Sequence, residues 1–434
     1  MSFGEAVKNF LRKFFMVRYF QNGKVQLCWK LPFYTSDWKK RIVAPLPIKF
    51  NARAVYRLCY ASKPIVPNKI VFDNYMGKGY GCNPKYVAEE LLKKYPGKFD
   101  IVWLATKKNN HDFPKGIRVV DYASRAAREE FATAKIWISN YHKISFIKKG
   151  MYKRPEQIYI QMWHGSLGIK KIENDVQCLT VDTSWLNMAQ LNSQMTDYWI
   201  SNSAFETAIY KRAFWNVENV LEYGHPRDDL LLGDMSAARK KVETMYGIEG
   251  KKILFYAPTF REDYRLDCYR IDYRSLQKAL SEKFGGEWVV LVRLHPRVQK
   301  FAEQVIPRSK SIFNATDYLD IQELLAAADC MITDYSSCIF DYVLTRRPAL
   351  IYAPDLEEYN TERGFYYPLE EAPFPIARDN FQLVHNVETF DAAAYKKRCE
   401  KFLQEKGCIE DGHAAERVAD LIAKIVNVNA EDAE

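Results

Sequence analysis

Two series of short apolar runs, each alternating with stretches of helical spacing, constrain this chain more than any other feature. The first opens at 69–72 (KIVF), passes a turn Gly77-Lys78-Gly79-Tyr80-Gly81 and enters a helical pattern over 84–94. Strand, glycine loop and helix form the opening unit of a Rossmann-like sheet. Runs at 101–105, 117–121, 135–139 and 157–162 follow, with helical patterns between several of them, as a parallel sheet requires. The run at 157–162 is expected to be the last strand of the first domain. A second series, 253–256 (ILFY), 288–293 (WVVLVR), 330–333 (CMIT) and 349–352 (ALIY), repeats the alternation. The fold class is therefore α/β, with two Rossmann-like domains facing across a cleft, and ligands belong at the C-terminal strand ends.

A chain of 434 residues exceeds one ordinary core, in agreement with two domains. Gly, Pro and charge around 224–234 place the junction there, which gives domains over 61–230 and 231–434, the amphipathic pattern at 413–426 falling in the second. Residues 1–60 form a basic, amphipathic segment. Within it Phe3, Val7, Phe10, Leu11 and Phe14 recur at helical spacing over 3–15, while Lys8, Arg12 and Lys13 fall largely elsewhere on the wheel. Two readings fit such a helix: contact with an anionic membrane surface, or packing on its own domain or on a second copy.

The net charge of +9 suggests an anionic partner without selecting one. Lys and Arg are spread along the chain with no basic helix or base-stacking strand, so nucleic acid is not the expected partner. The nine cysteines show no CxxC pair, which argues against a zinc site or disulfide framework and fits reduced thiols in a cytosol. No uncharged run reaches 18 residues and no secretory leader pattern opens the chain. Oligomeric state leaves no signal.

The chemistry-bearing segments fall at strand ends. In Trp163-His164-Gly165-Ser166 a histidine follows a strand, and an imidazole titrating near neutrality suits a general base for a hydroxyl; a structural histidine fits the same pattern. Ser166, with Lys170 and Lys171 nearby, is able to help hold phosphate. In Gly224-His225-Pro226-Arg227-Asp228-Asp229 the planar fork of Arg227 suits phosphate, or an Arg–Asp pair caps the next helix. Arg261 ends Ala257-Pro258-Thr259-Phe260-Arg261, and His295 sits in Arg293-Leu294-His295-Pro296; both belong near the cleft mouth, or serve as a salt-bridged arginine and a turn-capping histidine. Ile332-Thr333-Asp334-Tyr335-Ser336-Ser337 leads from a strand into a helix start, where free N–H groups and Ser hydroxyls bind a diphosphate; Asp334 or Ser336 as a plain N-cap is the alternative. Arg363 follows ALIY, and either touches donor phosphate or ribose or closes a loop. No carboxylate pair has metal-ligand spacing, so neither a metal nor a cofactor is expected.

In this order the segments resemble the CDP-glycerol glycerophosphotransferase family of teichoic-acid and capsule polymerases and primases. The resemblance rests on WHG (163–165), PRDD (226–229), APTFR (257–261), LHP (294–296), ITDYSSCIFDY (332–342), RRP (346–348), DLEEY (355–359) and RGFYY (363–367), and covers roughly 69–425. It implies a GT-B-like fold, with the donor nucleotide held by the C-terminal domain and the acceptor over the N-terminal one. His164 and His295 take the places of the family's two important histidines. Ser336 and Ser337 mark its phosphate-binding helix start, with Asp229, Asp334 and Asp341 in support and Arg227, Arg261 and Arg363 at the donor phosphates. The implied reaction moves a polyol phosphate, glycerol phosphate first, from a CDP-activated donor to a hydroxyl of a wall or capsule polymer or its lipid-linked primer, releasing CMP. The implied location is the bacterial cytoplasm, peripheral on the inner membrane face. A GT-B glycosyltransferase using a nucleotide-sugar is the alternative, and an anionic-polymer binding protein a more distant one. Where the family has Thr-Pro-Leu-Lys after WHG, this chain has Ser166-Leu167-Gly168-Ile169, and Asp228 stands where Asn is common.

Overall fold

The computed structural model describes residues 15–19, 24–34, 41–109, 111–176 and 183–428. The helix expected over 3–15 lies outside the described residues, except that Phe15 begins a strand. That strand, β1 (Phe15–Tyr19), pairs antiparallel with β2 (Lys24–Tyr34), which pairs antiparallel with β3 (Arg41–Asn51). The segment 1–60 thus carries a three-stranded sheet that helical periodicity did not predict. Its signal is present in the sequence: Val25, Leu27, Trp29, Leu31 and Phe33 recur at every second position, the period of a strand, just after the hairpin dipeptide Asn22-Gly23. A short helix, Ala52–Tyr56, follows, and Asn51 caps it by accepting the Arg53 N–H at 2.8 Å.

The first parallel sheet contains β4 (Val66–Asp73), β5 (Asp100–Ala105), β6 (Ile117–Asp121), β7 (Ala134–Ser139), β8 (Ile158–Gln161), β9 (Tyr198–Ser201) and β10 (Val220–Glu222), in the order β10-β9-β8-β7-β4-β5-β6. The second contains β11 (Lys252–Tyr256), β12 (Trp288–Val292), β13 (Ile312–Asn314), β14 (Cys330–Thr333), β15 (Ala349–Tyr352) and β16 (Ile376–Ala377), in the order β13-β12-β11-β14-β15-β16. In each sheet the first strand lies inside, two successors run to one side and the later strands to the other. The order reverses between β4 and β7 and again between β11 and β14, so a crevice opens at the carboxyl ends of each pair. The strands read as continuous apolar runs because both faces are covered: Ile70 and Phe72 pack into one core and Val71 into another, while Val289 and Leu291 face away from Val290 and Val292.

Two expectations are corrected. The run at 157–162 does not end the first sheet, since β9 and β10 continue it beyond the helix Thr183–Met195. The helix Ala414–Val426 does not pack on the second domain. Its Val418, Ala419, Ile422 and Ala423 are buried against Ile70, Val87 and Leu91 of the first, and Lys94 Nζ and Tyr95 OH bond Asp420 at 3.0 and 2.8 Å. Val418 and Ile422 each contribute about 1.5–3 kcal/mol relative to exposure. The backbone therefore crosses between the domains twice, before and after the second sheet.

Candidate active site

The loop after β8 brings His164 to the cleft. Trp163 is buried in the left-handed region at φ 47°, its N–H donating to Gln161 Oε1 at 3.0 Å, and its indole packs on Phe214. His164 Nδ1 lies 2.7 Å from the carbonyl oxygen of Asn140, on the loop after β7. A carbonyl only accepts, so the ring proton sits on Nδ1 and Nε2 keeps its lone pair. Asn140 is itself fixed by the loop after β4, donating to Asn74 Oδ1 at 2.8 Å and accepting Tyr75 N–H at 2.9 Å. Tyr75, Tyr141 and Trp163 surround the imidazole with ring centroids 5.2, 5.4 and 4.3 Å away. Burial lowers the His164 pKa to about 4, helped by the positive charge of Arg227 and opposed by the Asn140 hydrogen bond. The imidazole is neutral at physiological pH, with Nε2 ready to accept a proton.

On the other side His295 follows β12. Its Nδ1 accepts the Arg297 N–H at 3.2 Å and caps the turn Pro296–Phe301, which leaves the proton of the neutral ring on Nε2. The ring stacks on Phe260, centroids 5.5 Å apart. Its pKa also falls to about 4, first through burial and then through Lys78, Arg297, Lys170 and Arg293. Those four cations come from both domains: Lys78 from the glycine loop after β4, Lys170 from the segment after His164, Arg293 and Arg297 from the loop after β12. Arg293 donates to the Tyr318 carbonyl at 3.3 Å, its Nε is buried with no hydrogen-bond partner, and burial lowers its pKa. Among the described residues neither Lys78 nor Arg293 has a carboxylate within ion-pair distance. Arg297 meets Glu262 at 3.3 Å; Lys78 and Arg293, with no such carboxylate, are the two cations best placed to receive an anion.

The two loops at the second switch point are tied together by charge. Asp334 accepts the Thr259 N–H with both oxygens at 2.9 and 3.0 Å and lies 2.9 Å from Arg261 Nη1. Arg261 Nε and Nη2 also donate to Asp355 at 2.7 and 3.0 Å, and the guanidinium lies 4.9 Å from the ring centroids of both Tyr335 and Tyr359. Ser336 and Ser337 are half-buried at the start of the helix Cys338–Tyr342, and Ser336 Oγ accepts the Cys338 thiol at 3.1 Å. A Cβ on Gly168 would lie 3.1 Å from Ser337 Cβ, so that glycine lets the segment after His164 pack closely on the Ser336-Ser337 turn.

A family description, CDP-Glycerol:Poly(glycerophosphate) glycerophosphotransferase, matches residues 55–424. The chain belongs to this family. It is 29% identical over 395 residues to a teichoic acid poly(glycerol phosphate) polymerase of Staphylococcus epidermidis, covering 87% of this chain and 53% of that protein. A teichoic acid glycerol-phosphate transferase of Staphylococcus aureus is 31% identical over 382 residues, covering 83% of this chain and 94% of that one. The chain thus spans about half the length of the Staphylococcus epidermidis and Bacillus subtilis poly(glycerol phosphate) polymerases, 53% and 55%, and nearly all of the transferase. Among solved structures, the wall teichoic acid polymerase TagF superposes with a TM-score of 0.75 at 27% identity, covering 88% of this chain and 94% of that one, and a TagF variant has been solved after soaking with CDPG. The GT-B-like architecture follows from the two sheets and from this likeness.

Several residues of this glycerophosphotransferase-family chain occupy places other than those expected. Arg227 is 3% exposed; its Nε and Nη2 donate to Asp341 at 2.9 and 3.0 Å, and Nη2 also donates to the Gly165 carbonyl at 2.6 Å. Arg261, 2% exposed, is enclosed by Asp334 and Asp355. The expectation that Arg227 and Arg261 contact phosphate is corrected: their forks are taken by carboxylates, and they position the loops carrying Gly165 and Thr259. Asp341 is the partner of Arg227. Asp229 accepts the N–H groups of Ala414 and Ala415 at 3.0 and 2.7 Å, so it caps the last helix instead of supporting the site. Arg363 ends the helix Leu356–Arg363, but its side chain lies outside the described residues.

Lys78, Arg293 and Arg297 were not singled out from sequence, although Lys78 stands between two glycines at a strand end and Arg293 and Arg297 bracket His295. The RGFYY segment also gains a role. Tyr366 N–H donates to the Ile169 carbonyl at 2.7 Å, Lys171 N–H to the Gly364 carbonyl at 3.1 Å, and Tyr367 OH to the Leu167 carbonyl. It docks the second domain on the segment that follows His164.

Proposed function

We propose that the chain transfers a polyol phosphate, glycerol phosphate first, from a CDP-activated donor to a hydroxyl of a wall or capsule polymer or its lipid-linked primer. The observation that carries this reading is the pairing of an unprotonated His164 Nε2 with the cations gathered around His295. The acceptor oxygen attacks the donor β-phosphorus and its proton passes to His164 Nε2. A new P–O bond forms, the bond from the β-phosphorus to the bridging oxygen breaks, and CMP leaves with that electron pair. His295 Nε2–H, Lys78, Lys170, Arg293 and Arg297 neutralise the phosphoryl oxygens, with Ser336 and Ser337 at the phosphate loop. Arg227 and Arg261 hold the loops in register from behind. The relatives' names and the CDPG-soaked TagF support the donor class.

The decisive assay is CMP release from CDP-glycerol and CDP-ribitol with a lipid-linked or oligomeric acceptor. Acceptor-dependent release is expected from at least one donor; consumption of a nucleotide-sugar instead would move the assignment to glycosyl transfer. A lipid-linked acceptor also brings the chain to the inner face of the membrane as a peripheral protein. Among the described residues no helix is long and apolar enough to cross a membrane, and the +9 charge favours an anionic surface. Co-sedimentation with vesicles, strong with anionic lipid and weak with zwitterionic lipid alone, is the expected result.

A further inference from the structure

Where the chain first passes between the domains, three ligand-type side chains converge away from the cleft chemistry. One ring nitrogen of His225 and one carboxylate oxygen from each of Asp228 and Glu410 lie within 4.8 Å of one another. His225 and Asp228 are fully buried. Each residue is anchored through another atom: His225 Nε2 faces Glu206 Oε2 at 2.9 Å, Asp228 Oδ1 accepts from Gln322 Nε2 at 2.9 Å, and Glu410 Oε1 accepts the His225 N–H at 2.9 Å. His225 Nδ1, Asp228 Oδ2 and Glu410 Oε2 are shielded from solvent and have no hydrogen-bond partner, and the contact of His225 Nε2 with Glu206 is a close charge contact outside hydrogen-bond geometry.

With the ring proton on Nε2, beside the Glu206 carboxylate at 2.9 Å, Nδ1 is a lone pair. Nδ1 then faces Asp228 Oδ2 at 3.9 Å, acceptor against acceptor. Leaving buried acceptors unmatched is costly, and a cation among them removes the cost. A histidine that gives one ring nitrogen to a metal and the other N–H to a carboxylate is the usual support of a metal ligand, and Glu206 stands in that position. Gly224 belongs to the design: at φ 84° its added Cβ would lie 2.7 Å from Glu410 Oε2.

We propose that His225, Asp228 and Glu410 bind one divalent first-row transition-metal ion, with water completing its shell, and that this ion ties together the two crossings of the chain between domains. One imidazole and two carboxylates suit Mn2+ or Zn2+. Asp228 adjoins Arg227, so the ion would steady the clamp on Asp341 without touching the reacting groups.

The test uses the full chain, stripped with chelator and dialysed, then titrated by calorimetry with MnCl2 and ZnCl2 in separate runs. Wild type is expected to bind one ion per chain, with a rise in melting temperature that saturates at the same stoichiometry. Asp228→Asn, nearly isosteric, and Glu410→Gln each weaken binding at least about tenfold. Circular dichroism confirms that both variants are folded, and the exposed Glu388→Gln serves as an unaffected control. Failure of wild type to bind either metal at millimolar concentration overturns the proposal, as does binding that survives both substitutions. Neither readout depends on the transfer reaction, so this result and the activity result stand apart.

Discussion

His164 and His295 each follow a buried parallel strand and each titrate near 4, yet their surroundings prepare them for opposite tasks. His164 is half-buried in an aromatic enclosure, gives its Nδ1 proton to Asn140 and presents an unprotonated Nε2. His295 accepts at Nδ1 from Arg297 and keeps a proton on Nε2, with cations from both domains around it. The comparison teaches that the backbone group at Nδ1, and not the residue type, decides whether a strand-end histidine serves as base or as donor.

The largest expected effect breaks or upholds the first half of that contrast. His164→Ala lowers acceptor-dependent CMP release about 10²- to 10⁴-fold; a loss of less than tenfold in a single-turnover assay ends the assignment of His164 as the base. Next comes the clamp behind it. Arg227→Ala leaves Asp341 buried without its partner and costs about 3–5 kcal/mol in urea unfolding, whereas a loss within experimental error would return Arg227 to the phosphate-contact role. For the His295 side, Lys78→Met removes a charge-assisted contact to the donor and raises donor KM about ten- to hundredfold, with kcat less affected. An unchanged KM and an unchanged salt dependence would remove Lys78 from the donor site.

Smaller effects follow from titration. In the unfolded chain histidine takes up protons near 6.5, while the folded chain refuses them at these two sites down to about 4. Stability is therefore fully present above pH 6.5 and falls as pH is lowered through that window. Urea midpoints measured across it should slope downward toward acid, and His164→Gln should flatten the slope; an unaltered slope would show that the depressed pKa is not realised. Smallest is Gly168→Ala, whose Cβ presses on Ser337. It should raise KM a few-fold while leaving the melting temperature within a few degrees of wild type.

Much of the α/β frame was legible because a strand covered on both faces must be a short apolar run, as at Ile70–Phe72 and Val289–Val292. The first sheet's later strands were less so: β9 is four residues long and β10 three, too short to carry a period. The antiparallel strands β1 to β3 were missed for a different reason. The helical pattern over 3–15 drew the reading of the whole segment, although the alternation over 24–34 has the period of a strand. At the site, His164, His295 and the Ser336-Ser337 loop stood out because motif and strand end coincide. Lys78 did not, since a lysine between glycines looks the same whether it faces solvent or a ligand.

The sequence by itself determined the alternation of elements, the two domains and the loops that bear the chemistry, because these follow from local periodicity and from residues a few positions apart. Only the tertiary structure decided which charges remain available. Arg227 meets Asp341 across 114 residues and Arg261 meets Asp355 across 94, so both forks are occupied by carboxylates that no local pattern links to them. It also decided that the last helix returns to the first domain and that Glu410 joins His225 and Asp228. Electrostatic pairing acts through space over a few ångströms, and only the folded chain sets which residues stand that close.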